Sequence, residues 1–125
     1  MAEPGQDAPL LQDTEFVPKM VASGADSGVV AAMEEMVRTA SPGGVAAALR
    51  GMAEREDSTE LLSRIDVPTL VICGAEDGIS PPEEMREMAS AIPGARFEVI
   101  PRAGHVSPME NAADVNRAIG AFWRV

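Results

Sequence analysis

Two residues of the sequence, Asp77 and His105, are of a type and in a position to perform acid–base chemistry. His105 is the only histidine among the 125 residues, so any imidazole that transfers protons near neutral pH must be this one. Asp77 lies between Gly74 and Gly78, and His105 follows Gly104, where glycines permit tight turns that project the neighbouring side chains. A carboxylate that accepts Nδ1–H would leave Nε2 free to deprotonate a hydroxyl group.

Each of these residues also has an ordinary structural explanation. An aspartate in a glycine-rich loop commonly forms an Asx-turn, and a single loop histidine is commonly a surface residue. Their shared context favours a catalytic role for both residues. Asp77 follows a predicted strand and precedes a helix, and His105 follows a second strand and precedes the last helix. Catalytic groups gather at the carboxyl ends of such parallel strands.

The first strand and the helix after it are predicted from local patterns. A continuous apolar run over 69–73, ended by Gly74, predicts a buried parallel strand. Ser80, Pro81 and Glu83 have the spacing of an N-cap, a first helical position and a capping box. We therefore expect the helix to begin at Pro81.

A second strand and a last helix complete this half of the chain. The strand is predicted over 96–100, after Pro93 and Gly94 end the preceding helix. Ser107 and Glu110 have capping-box spacing at the start of the last helix. The apolar stripe of that helix recurs at helical period, at Val115, Ile119 and Phe122.

The first half of the chain is predicted to be helical. Apolar residues at helical spacing occupy 29–40 and 45–53, with Ser41 as the N-cap of the second of these helices. A further helix is predicted over 15–21, with Pro18 in its first turn. Methionines on these faces would pack on the sheet or line a pocket, namely Met33, Met36 and Met52. The predicted organisation is a flexible lead-in (1–14), a helical part (15–56) and a β-α-β-α part (57–125).

Composition excludes several classes of function. A net charge of −10 works against binding a phosphate backbone, so we expect no nucleic-acid partner. No apolar run approaches the roughly 20 residues that cross a bilayer, and the start of the sequence lacks a signal peptide, so a cytoplasmic protein is expected. We expect neither a cofactor nor a metal. Cys73, the single cysteine, ends the first strand and should be buried and unreactive.

The stretch IDVPTLVICGAEDGISPPEEMREMASAIPGARFEVIPRAGHVSPMENAADVNRAIGAFW closely resembles the C-terminal end of α/β-hydrolase-fold enzymes, particularly the lid-bearing esterase and enol-lactonase-like branch. The resemblance implies an α/β fold in which a helical lid precedes β-α-β-α with two parallel strands. It also implies that Asp77 is the triad acid and His105 the triad base. Residues 15–56 would be the lid. Ala112 departs from the family, which often has proline at the start of the last helix.

The nucleophile that this family requires is missing from the sequence. Its serine lies in a G-x-S-x-G elbow between a strand and a helix, and none of the 125 residues form that motif. Ser27, in GADSG, has the wrong spacing and no preceding strand, and is expected to be a helix N-cap. Ser107 is expected to cap the last helix. The chain could be truncated, completed by another chain, or a catalytically inactive relative.

The leading hypothesis is therefore a C-terminal fragment of a serine-type α/β-hydrolase that acts on a small ester, lactone or similar carbonyl substrate. It would supply the acid and the histidine, and would be inactive alone. A small sheet with an exposed edge also predicts a possible homo-oligomer. The alternative is a non-catalytic interaction module derived from the same fold.

Overall fold

The computed structural model describes residues 16–124, so the predicted lead-in over 1–14 lies outside the described residues. The first half contains three helices: α1 (Phe16–Met20), α2 (Ser27–Thr39) and α3 (Pro42–Glu54). Ser41 caps α3 as predicted, since its hydroxyl accepts from the Gly44 N–H at 3.2 Å. The predicted cap of α2 is wrong. Asp26, one residue before Ser27, accepts from the Gly28 N–H at 2.8 Å.

The second half alternates strands and helices in the predicted order. It begins with a 3-10 helix that the sequence patterns did not predict, Thr59–Arg64. The following elements are β1 (Leu70–Gly74), α4 (Pro82–Ala91), β2 (Arg96–Ile100), α5 (Ser107–Glu110) and α6 (Ala112–Trp123). β1 and β2 are parallel and in register from Leu70 opposite Arg96 to Gly74 opposite Ile100.

Both predicted helix starts in this half are displaced. The first helical residue of α4 is Pro82 and its N-cap is Pro81, one residue later than predicted. The Ser80 N–H, which the predicted capping box would pair with Glu83, is held at 2.9 Å by the Asp77 carboxylate. The last helix is two helices. Asn111 separates α5 from α6 and caps α6 by accepting from the Asp114 N–H.

Helices cover both faces of the two-stranded sheet. Side chains of β1 alternate, so that Val71 packs with Ala89 and Ile92 beside α4, while Ile72 packs on the opposite side with Ile100 and Val115. Parallel strands buried between helices are the arrangement expected of an α/β fold. The loops with Asp77 and His105 begin at the ends of these two strands.

The helices α2 and α3 are less buried than the sheet. Met33 is a core residue of α2, but Met36 and Met52 are 55% and 63% exposed, and α3 has no buried residue. Core packing is thus confirmed for Met33 alone among the three methionines. None of the helices over 16–124 has the length and apolar content required to cross a membrane.

Candidate functional site

The two loops that carry Asp77 and His105 lie side by side, because the pairing of β1 and β2 continues past the ends of the strands. The Ala75 N–H donates to the Ile100 carbonyl, and the Glu76 N–H donates to the Ala103 carbonyl, both at 2.8 Å. These bonds fix the start of each loop relative to the other. The two predicted site residues are brought together as a consequence.

Gly74 and Gly104 allow these loops to approach closely. A Cβ on Gly74 would lie 2.1 Å from the Gly104 carbonyl oxygen, and a Cβ on Gly104 would lie 2.8 Å from the Val21 carbonyl carbon. Neither glycine has a positive φ; among the glycines over 16–124 only Gly94 does. The Asp77 N–H donates to the Gly74 carbonyl at 3.2 Å, so the turn predicted after β1 is present. The packing adds a second requirement at both glycines, which is the absence of a side chain.

The Asp77 carboxylate is buried and fully engaged. Its Oδ1 accepts from the backbone N–H groups of Ile79 and Ser80 at 2.9 Å each, and His105 Nδ1 lies 3.0 Å from Oδ2 and 3.2 Å from Oδ1. Burial acts to raise the pKa of Asp77. The two N–H donors and His105 outweigh burial and hold the pKa below its ordinary value. Asp77 is therefore an ionised acceptor at neutral pH.

His105 is anchored through its backbone and accessible through its ring. Its N–H donates to the Met20 carbonyl at 2.9 Å, and its side chain is 35% exposed. Nδ1 faces Asp77, whereas Nε2 has no hydrogen-bond partner among the described residues. With Nδ1–H donated to the carboxylate, Nε2 presents a lone pair that can take a proton from a hydroxyl group or water.

Two glutamates that the sequence patterns did not assign to the site hold its loops. Glu110 Oε2 accepts from the Gly104 N–H at 2.7 Å, and its Oε1 accepts from the Ala22 N–H at 2.5 Å. Glu76 Oε1 accepts from the Ser23 hydroxyl at 2.8 Å. The capping-box role predicted for Glu110 is thus wrong. No local pattern could have found these partners, because Ala22 and Glu110 are 88 residues apart.

Within residues 16–124, the other candidate side chains form no hydrogen bond with the side chain of Asp77 or of His105. Ser27 is exposed in the first turn of α2, and Ser107 is buried at the start of α5. Cys73 is buried as predicted, and burial together with the nearby negative charge of Asp77 raises the pKa of its thiol. A thiolate is therefore disfavoured there. No cluster of metal-ligating side chains occurs within the described part of the chain.

Comparison with known proteins identifies similar sequences and folds. The family described as the alpha/beta hydrolase fold matches residues 8–112. A pimeloyl-(acyl-carrier protein) methyl ester esterase of Neisseria meningitidis is 32% identical over 100 residues, which cover 80% of this chain and 30% of that protein. The solved structure of a thermophilic esterase from Thermogutta terrifontis is 46% identical with a TM-score of 0.84. The enol-lactonase from Burkholderia xenovorans is 27% identical with a TM-score of 0.78.

The structural matches cover most of this chain but less than half of each solved relative. The match to the esterase covers 88% of this chain and 42% of the esterase, and the match to the enol-lactonase covers 89% and 43%. The chain thus spans less than half the length of these solved relatives. It spans about a third of the curated one.

Proposed function

The chain belongs to the α/β-hydrolase fold family, and we propose that it supplies Asp77 as triad acid and His105 as triad base of a serine-type hydrolase. The substrate class is a small ester, lactone or similar carbonyl compound. The nucleophilic serine would come from a segment that precedes these residues in the complete protein, since none of the 125 residues form a G-x-S-x-G elbow.

The observation that carries this proposal is the contact between His105 Nδ1 and the Asp77 carboxylate at 3.0 Å. Asp77 is ionised and its orientation is fixed by two backbone donors, so it selects the His105 tautomer with the proton on Nδ1. The similar esterases and enol-lactonase support the substrate class, because their names describe ester and lactone chemistry.

The reaction would proceed by acyl transfer. The serine oxygen attacks the carbonyl carbon while Nε2 of His105 takes the hydroxyl proton. The carbon–oxygen bond to the leaving group then breaks, and Nε2 returns the proton to the departing alkoxide. A water molecule repeats the sequence on the acyl-enzyme, which releases the acid and regenerates serine. Asp77 stays ionised throughout and stabilises the imidazolium that forms in each half.

The helical part, 15–56, would serve as the lid over the substrate. Met36, Leu49 and Met52 expose large apolar side chains on α2 and α3, which suits the wall of a pocket for an apolar acyl or alcohol group. The same exposed side chains would suit the alternative, a non-catalytic interaction module.

The decisive experiment joins this chain to the segment encoded directly upstream and assays p-nitrophenyl acetate hydrolysis and fluorophosphonate labelling. We expect the joined protein to turn over and to be labelled, and the 125-residue chain to do neither. His105→Ala should abolish both activities in the joined protein. The matched control is Ser107→Ala, which changes a nearby residue that makes no recorded contact with Asp77 or His105 and should retain activity.

Three results would contradict the proposal: a joined protein that neither hydrolyses the ester nor reacts with the probe, labelling that His105→Ala leaves unchanged, or an upstream segment without a strand-elbow-helix serine. The first of these, in a folded protein, would favour the interaction module instead.

A further inference from the structure

We propose that Glu110 is a positioning residue for His105: its carboxylate ties the loop that carries His105 to the end of α1 through two backbone N–H groups. This inference deepens the proposed function and rests on it for its catalytic consequence. The geometry on which it stands is a property of the fold alone.

The carboxylate of Glu110 bridges two segments that are distant in sequence. Oε2 accepts from the Gly104 N–H at 2.7 Å, directly before His105, and Oε1 accepts from the Ala22 N–H at 2.5 Å. The His105 N–H donates back to the same segment, at the Met20 carbonyl, at 2.9 Å. The His105 backbone is therefore held from both sides, by α5 and by the segment that follows α1.

Close packing leaves this arrangement little freedom. Ala22 is 4% exposed, and Gly104 lies so near Val21 that no Cβ fits between them. Both donors are in a partly buried environment, where hydrogen bonds to a charged acceptor are roughly twice as strong as neutral ones. Loss of the acceptor would leave two buried N–H groups without a partner.

A carboxylate is the required group at this position because both of its oxygens accept. Glutamine has nearly the same shape, but its amide NH2 would face one of the two N–H donors. Aspartate keeps both acceptors but is one methylene shorter, so it would reach at most one donor well. Glu110→Asp therefore tests the length of the side chain at constant charge, and Glu110→Gln tests the loss of the second acceptor at constant length.

Release of the Gly104 loop would shift the His105 ring relative to Asp77 and to the nucleophile. Misplacement of a catalytic group by about 1 Å can cost about 100-fold in rate. We therefore expect Glu110→Gln to lower kcat by about 100-fold with KM nearly unchanged, and Glu110→Asp to lower kcat less. Glu87→Gln, an exposed glutamate of α4, is the matched control and should leave kcat unchanged.

The test uses the joined protein and adds two measurements that do not depend on turnover. Hydrogen exchange should accelerate at the amides of Ala22, Gly104 and His105 in Glu110→Gln, and not in Glu87→Gln. The His105 ring resonance, identified by its loss in His105→Ala, should show a changed titration and a faster-exchanging Nδ1–H. If Glu110→Gln fails to fold, the same measurements on Glu110→Asp test whether Glu110 positions His105.

Unchanged exchange at these amides together with an unchanged His105 titration would overturn the positioning role, whatever the activity. A wild-type protein that hydrolyses nothing, but in which Glu110→Gln alters both measurements, would overturn the proposed function and leave the anchoring of His105 by Glu110 intact. A loss of kcat with wild-type exchange and titration would also refute the positioning role, since the rate effect would then have another origin.

Discussion

Asp77 differs from an ordinary loop aspartate in how its oxygens are used. The backbone donors on Oδ1 come from the loop itself, as in an Asx-turn, and the same carboxylate also meets His105. The Asx-turn predicted for this residue is therefore present, and its geometry supports the proposed role of Asp77 beside His105. The turn presents the carboxylate in a fixed orientation, which is what orienting an imidazole requires.

Replacement of Asp77 by asparagine tests that orientation. The amide NH2 of the introduced asparagine would favour the opposite His105 tautomer, so kcat of the joined protein should fall by about 10⁴-fold with KM little changed. Steady-state kinetics with p-nitrophenyl acetate measure both constants. The control Asp66→Asn alters an exposed aspartate and should have wild-type kinetics. A loss of less than about tenfold in Asp77→Asn would argue against the triad assignment.

The lowered pKa of Asp77 predicts an acid-dependent contribution to stability. Because the folded-state pKa lies below the unfolded-state value, ionised Asp77 stabilises the fold above the unfolded-state pKa. That contribution is lost as the pH falls through the folded-state pKa. The difference in unfolding free energy between wild type and Asp77→Asn should shrink as the pH falls below about 4. Urea titrations at several pH values measure it, and a difference that persists unchanged in acid would refute it.

At the scale of elements, the end of β1 packs directly against the Gly104 loop because Gly74 has no side chain. In Gly74→Ala the new Cβ would lie 2.1 Å from the Gly104 carbonyl oxygen, so the strand end and the loop must separate. We expect a loss of at least about 1–3 kcal/mol in the free energy of unfolding, together with lower activity. Chemical denaturation of the joined protein measures the loss.

Gly51→Ala is the matched control for Gly74→Ala. Gly51 lies inside α3, and a Cβ there would meet nothing within 4 Å. Alanine should therefore stabilise the helix by about 0.5–1 kcal/mol. Equal stability of Gly74→Ala and wild type would show that the two loops are not in tight contact at Gly74.

The helix boundaries show what local patterns predict well and where they fail. β2 was predicted at its observed bounds, Arg96–Ile100, and Ser41 caps α3 as expected. The capping boxes predicted at Ser80 and Ser107 do not form, because the Ser80 N–H is bonded to Asp77 and the Glu110 carboxylate is bonded to Gly104 and Ala22. Capping patterns assume that a polar side chain or N–H has no better partner elsewhere, and near the site that assumption is wrong.

At the scale of the whole molecule, the two-stranded sheet is covered on its faces but not at its edges. Within residues 16–124, β1 and β2 pair only with each other, and large apolar side chains such as Trp123, at 78%, are exposed. Unpaired strand edges and exposed apolar surface favour association.

We therefore expect the 125-residue chain by itself to self-associate as its concentration rises, and the joined protein to stay monomeric. Sedimentation velocity across a wide concentration range measures the change in molecular mass, with the joined protein as the control. A chain that remains monomeric throughout would show that its exposed edges and side chains need no partner.

The sequence by itself determined the alternation of strands and helices, the parallel pair of strands and the two loops that bear Asp77 and His105, but not the 3-10 helix or the division of the last helix. These follow from short-range periods and turn residues, which act within a few positions along the chain. Only the tertiary structure decided that Gly74 and Gly104 serve close approach and that Glu110 holds the His105 loop. Those roles depend on contacts between segments up to 88 residues apart, and such contacts exist only once the path of the chain is fixed.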